Sequence, residues 1–198
     1  MAHETNGPAV MGLLLAAGRG TRFGPGNKLL ADWRGRPLVT AAALALRRAV
    51  DGPCIAVVRD ARVAALLPGF TILHMTGPVE EMAASLQRGI AYASDARAAR
   101  VLVALGDMPC VPVTHLMRLI RAATDSRPAA SGHDGRPGVP ACLPARIYPA
   151  ALAAAGDMGA RRLLTAHGAV TIPLAPGARH DIDRPGDLHS AAGRLSHN

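Results

Sequence analysis

The chain predicts an α/β fold, a mostly parallel sheet with helices on both faces. Apolar runs of strand length recur at residues 10–17, 54–58, 71–75, 101–105 and 169–174. They are almost continuously hydrophobic, as strands buried on both faces are. Alanine-rich stretches with helical spacing lie between them, at residues 38–50, 60–67, 80–94 and 112–124. Strands alternating with helices imply a parallel sheet wrapped on both sides. A length of 198 residues fits one domain with a sizeable core, so residues 1–198 are read as one unit with residues 1–8 disordered.

The first strand follows a polar stretch and is too short to cross a bilayer; without a basic leader it reads as a buried strand. Residues 127–149 break the strand–helix rhythm, with Gly and Pro dense around two short β-like pieces at 128–131 and 139–143. A substrate-facing excursion is expected there. Helical segments at 145–155 and 157–166, the last strand, and a closing helix from 185 to about 195 complete the pattern.

The formal charge of +8 comes from 21 arginines scattered through nearly every segment, with five aromatics in the whole chain. A nucleic-acid binder shows a basic stripe, and single-strand binders add stacking rings. Neither is present, so the charge suits a small polyanionic substrate drawn into a positive cleft. Three cysteines without a CxxC pair give neither a zinc signature nor an even disulfide set, and point to a reducing, cytoplasmic setting. Eight histidines show no ligand spacing, and most read as surface or helix-end residues. Met75, Met82 and Met108 read as core filler. No nucleic-acid or membrane partner is expected.

Lys28 is the only lysine, and it closes the glycine-rich run LLLAAGRGTRFGPGNK that begins at Leu13. A compact ammonium on a slim stem enters a crowded polyphosphate pocket where a guanidinium fork does not fit. Lys28 is therefore read as a phosphate ligand. The preceding strand ends in small residues, which let backbone N–H groups approach phosphate oxygens closely. Neither well-known phosphate loop matches. Asn27 precedes Lys28 and Leu29 follows, which breaks the P-loop, and Gly24 arrives too late after Gly20 for the dinucleotide fingerprint.

Asp107 follows the strand at 101–105 and should emerge at the same sheet edge, either as a ligand for a hard cation or as a cap for the next turn. Asp181 and Asp183 alternate along an extended segment and so share a side. They can complete a metal site, while Asp183 or Arg184 with Pro185 also makes an ordinary helix start.

The whole string from Leu13 to Lys28 resembles the LAAGxGxRFGxxK signature of the molybdenum-cofactor nucleotidyltransferases. The resemblance continues in order through Glu80–Leu86, Gly106-Asp107-Met108-Pro109, Arg136–Pro140, Gly156–Arg161 and Asp181–Leu188. It implies a Rossmann-like nucleotidyltransferase fold. It also implies a triphosphate held by the loop Leu15, Ala16, Ala17, Gly18, Arg19, Gly20 and Thr21, with Ser85 and Gly106 beside the nucleotide. Arg22 and Lys28 would neutralise the phosphates and the departing pyrophosphate, with Asp107 acting alongside them as a catalytic residue. Mg²⁺ would sit on Asp107 with Asp181 or Asp183. Arg19 and the Lys28-Leu29-Leu30 triplet look like the cytidylyltransferase branch, which implies CTP and molybdopterin as substrates and transient contact with a molybdoenzyme or its chaperone. Glu81 and Val139 depart from the family pattern, the first near the nucleotide and the second where the acceptor is chosen. The rival readings are a GTP-using enzyme or one with another phosphate acceptor, an NAD(P)-binding oxidoreductase, and a non-catalytic protein that delivers cofactor.

Overall fold

The computed structural model describes residues 7–18, 23, 26–76, 82–153, 159–178, 182 and 187. The strands are β1 (Val10–Ala16), β2 (Asp32–Trp33), β3 (Arg36–Pro37), β4 (Cys54–Val58), β5 (Phe70–His74), β6 (Arg100–Leu105), β7 (Ala129–His133), β8 (Arg136–Pro144) and β9 (Val170–Pro173). The helices are α1 (Leu38–Ala49), α2 (Ala61–Ala65), α3 (Met82–Asp95), α4 (Val113–Ala122), α5 (Tyr148–Ala153) and α6 (Gly159–Ala166).

Seven strands form one sheet in the order β5-β4-β1-β6-β8-β7-β9. All neighbouring pairs are parallel except those made by β8, which runs against both β6 and β7. The mostly parallel sheet is as predicted. Strand side chains alternate between two cores. Leu14 and Ala16 of β1, Ala56 and Val58 of β4, and Leu102 and Ala104 of β6 face α1, α2 and α4. Leu13 and Leu15, Ile55 and Val57, and Val101 and Val103 face α3, α5 and α6. Burial on both faces is the physical reason these strands read as continuous apolar runs.

Two expectations are corrected. Residues 127–149 are not an excursion: β7 and β8 pair with each other, and β8 inserts beside β6 in the sheet, with Ala129, Ala130 and Cys142 fully buried. The Pro8 carbonyl accepts a hydrogen bond from the Ala99 N–H at 3.1 Å. Met82 is 37% exposed, whereas Met108 is core at 3%. The β2–β3 hairpin carries no sequence periodicity and is a feature only the structure reveals. The closing helix, apart from Asp187, lies outside the described residues. Among the described residues no helix is long and apolar enough to cross a membrane.

Candidate functional site

From β1 the sheet grows through β4 and β5 on one side and through β6 on the other, so the sequence order reverses across the β1–β6 pair. In open α/β sheets the crevice beyond the carboxyl ends of such a pair is where ligands bind. Leu15 of β1 pairs with Leu105 of β6, and the Gly106 N–H donates to the Leu15 carbonyl at 2.9 Å. The loop after β1 and the loop after β6 therefore leave the sheet side by side. Ala16 and Ala17 are buried, and Gly18 is exposed.

Gly106 is there for space. A Cβ on it would lie 3.3 Å from Ala16 Cβ, 3.4 Å from Leu29 Cδ2 and 3.4 Å from Val39 Cγ2. Gly26 is there for conformation, since its φ of +114° is a region side chains avoid while nothing crowds its position. That turn leads into a short 3-10 helix, Lys28–Leu30. Asn27 caps it, its Oδ1 accepting the Leu29 N–H at 3.0 Å, and Leu29 is buried against the α1 side of the sheet.

Lys28 is thereby presented to Asp107. The ammonium donates to Asp107 Oδ2 at 2.7 Å, with the two side chains 9% and 20% exposed. Two residues 79 apart in sequence meet at the carboxyl edge of the sheet. The Asp107 carbonyl accepts the N–H of Ile182 at 3.1 Å, and Ile182 is fully buried. Asp181 and Asp183 lie outside the described residues, but the residue between them is tied to the Asp107 backbone. Carboxylate oxygens suit a hard divalent cation. No cluster of three or more metal-binding side chains forms among the described residues.

Arg19, Gly20, Thr21 and Arg22 also lie outside the described residues. Ser85 is buried in the first turn of α3, the helix that follows β5 and so starts at the same sheet edge. On the α3 side of the sheet, a small apolar gap of about 10 Å³ is lined by Leu15, Met82, Leu86, Val139, Ala160 and Leu163, so Val139 stands beside the start of α6. Of the residues singled out from sequence, the fold brings Lys28, Asp107, Gly106 and the strand end Leu15–Gly18 together, with Ser85 at the same sheet edge. A roomier cavity of about 760 Å³ lies elsewhere, on the outer side of α1 among Trp33, Leu44, Leu67 and Phe70, and holds none of them.

Asn27 and Asp60 escaped the sequence reading. Asn27 Nδ2 donates to Asp60 Oδ2 at 3.1 Å, just beyond the end of β4. Arg62 chelates the same carboxylate through Nη2 at 2.7 Å and Nε at 3.1 Å, and the Arg62 N–H adds a bond at 2.9 Å. The Arg62 side chain foremost, with Asn27 and the backbone N–H, holds the Asp60 carboxyl well below the usual carboxylate range against the opposing effect of desolvation. The available signal was Asn next to the lone lysine, a residue type that caps helical turns.

The other polar groups read as structural. His115 is buried, unlike a surface histidine, and its Nε2 lies 2.9 Å from Ser131 Oγ. Ser131 donates to the Pro140 carbonyl at 2.8 Å, so the ring N–H must donate to the hydroxyl, the reverse of a nucleophile–base pair. All three cysteines are buried and none is in a disulfide; burial pushes the Cys142 thiol up to about 12 and raises Cys54 as well.

A family model described as the MobA-like NTP transferase domain matches residues 12–170. A Paenarthrobacter nicotinovorans protein named nicotine blue oxidoreductase is 33% identical over 176 residues, covering 81% of this chain and 84% of that one. A Pseudomonas putida protein named molybdenum cofactor guanylyltransferase is 32% identical over 143 residues, covering 69% and 71%. Among solved structures, a nucleotidyl transferase from Methanothermobacter superposes with a TM-score of 0.80 at 25% identity, covering 97% of this chain and all of that one.

Proposed function

Because the chain belongs to the MobA-like NTP transferase family of nucleotidyltransferases, we propose that it transfers CMP from CTP to the terminal phosphate of molybdopterin, releasing pyrophosphate. The observation that carries this reading is the Lys28–Asp107 pair at 2.7 Å, at the point where the sheet's strand order reverses. One cation and one hard anion share a crevice with a loop of small residues, the combination a metal–triphosphate needs.

A phosphate oxygen of the acceptor forms a bond to the α-phosphorus of CTP, and the bond to the α–β bridging oxygen breaks. The nucleophile is already anionic, so no proton has to move, and catalysis reduces to in-line alignment and charge neutralisation. Lys28 and Arg22 bind the β and γ phosphates, and the N–H groups of residues 15–21 hold the chain of phosphates in line. Asp107, with Asp181 or Asp183, would hold Mg²⁺, which would supply charge neutralisation at the transferring group. Ser85 and Gly106 border the nucleotide. The segment Arg136–Pro140, which carries Val139, is where the acceptor is chosen. The choice of CTP over GTP rests on the resemblance of Arg19 and the Lys28-Leu29-Leu30 triplet to the cytidylyltransferase branch; Leu29 is buried in the core and Leu30 partly buried against it.

A second reading is favoured by the relative named nicotine blue oxidoreductase, which suggests reduction by NAD(P)H in the same crevice. One experiment separates them. Pyrophosphate release is measured with Mg²⁺, molybdopterin and each of CTP, GTP and ATP, beside NAD(P)H oxidation without metal. The proposal expects CTP turnover that collapses in Asp107→Ala and Lys28→Ala. Turnover with GTP alone reassigns the base, and metal-free NAD(P)H oxidation without pyrophosphate release refutes the transfer.

A further inference from the structure

We propose that Asn27 and Asp60 are positioning residues for Lys28, forming a brace from the end of β4 that sets where the ammonium stands in the crevice. The inference rests on the phosphate role given to Lys28 above and names two residues that act through it.

Lys28 sits on a 3-10 helix of three residues, too short to hold its own orientation. Its neighbours fix it. Leu29 is buried in the core against Gly106 and the α1 side, while Asn27 faces the opposite strand end. Both ends of the Asn27 amide are engaged across the turn: Oδ1 accepts the Leu29 N–H, and Nδ2 reaches Asp60 33 residues away in sequence. Asp60 is itself immobilised, because Oδ1 accepts from the Arg62 N–H and Nε while Oδ2 accepts from Arg62 Nη2 and from Asn27. One chain of contacts thus runs from Arg62 through Asp60 and Asn27 to the lysine turn, and from Lys28 to Asp107. It ties the ends of β4 and β6, which flank β1, to a single cation.

A bare cap would not need this. Serine caps a helical turn as well as asparagine or aspartate does, and Asp60 already caps α2. The amide of Asn27 and the carboxylate of Asp60 span the gap between the two caps.

That distinction supplies the test. Asn27→Ser and Asp60→Ser keep their local caps and lose the link. Both are made in the native chain and in Lys28→Met, and CTP-dependent pyrophosphate release is measured. A positioning role predicts that each lowers kcat/KM by roughly 10- to 100-fold, the scale of a misplaced catalytic group. The two together should cost no more than either alone, and neither should cost anything further in Lys28→Met. A second readout needs no turnover. The single lysine gives one side-chain ¹³Cε signal in protein grown on labelled lysine. The brace predicts that this signal shifts or broadens in both serine variants, with melting temperatures close to native. An unmoved lysine signal, or an equal cost with and without Lys28, overturns the proposal. If no nucleotide is turned over but the lysine signal moves, the brace stands and the transferase reading falls.

Discussion

Gly106→Ala tests how tightly the site is built, because the added methyl group enters between the two strand ends that carry the chemistry. It would meet Ala16 Cβ at 3.3 Å, Leu29 Cδ2 at 3.4 Å and Val39 Cγ2 at 3.4 Å. Each contact is a few tenths of an ångström short of comfortable. Ala16 belongs to a fully packed strand and Val39 to α1, so the atom able to yield is the end of the Leu29 side chain. Overpacking of this size costs about 1–2 kcal/mol. At ~2–4 °C per kcal/mol for a chain of this length, melting should fall by roughly 2–8 °C. Leu29 follows Lys28 in the same turn, so its retreat displaces the ammonium from Asp107. Activity at 25 °C, where the variant remains folded, should therefore drop by about tenfold or more. Differential scanning calorimetry and kcat/KM for CTP, measured on the same preparation, check both parts. A variant that melts lower yet keeps native kcat/KM would refute the link between core packing at Leu29 and the position of Lys28.

If Asp107 holds the metal as proposed, Lys28→Met should raise the affinity of the nucleotide-free chain for Mn²⁺ by up to about fivefold, since the ammonium 2.7 Å from Asp107 would compete for the carboxylate; electron paramagnetic resonance counts the free ion. The same variant should bind CTP more weakly. Burial first, then Arg118 and His133, lower the pKa of His115 in the folded chain. Its contribution to stability is therefore complete above the unfolded value of about 6.5 and is lost as pH falls through the folded value below it. His115→Gln should flatten the melting temperature across that acid window while the native chain loses stability there. The cysteines should resist alkylation at pH 8 in the native chain and react together on unfolding, given their burial and a Cys142 pKa of about 12.

The parallel core was legible because residues buried on both faces leave an uninterrupted apolar record, as at Ile55–Val58 and Val101–Ala104. In the middle of the chain the two β-like pieces were legible and fall on β7 and β8, but their place inside the sheet was not, because glycine and proline imitate a loop while β8 pairs with neighbours on both sides. The hairpin of β2 and β3 is too short to show a period. At the site, the lone lysine and the aspartate after β6 were readable as chemistry, and the register of β1 with β6 explains why they meet. Asp60 was hidden because an aspartate after a strand looks like an ordinary helix cap, which it also is. Its second role depends on a residue 33 positions away, and no local pattern records that.

Transfer of a nucleotidyl group onto a phosphate leaves its record in the product. The folded chain is incubated with CTP, Mg²⁺ and molybdopterin, and the acceptor is weighed by mass spectrometry. The native chain should yield an acceptor heavier by one cytidylyl group, and Asp107→Ala should not. An unmodified acceptor, accompanied by metal-independent consumption of NAD(P)H, would contradict the transfer.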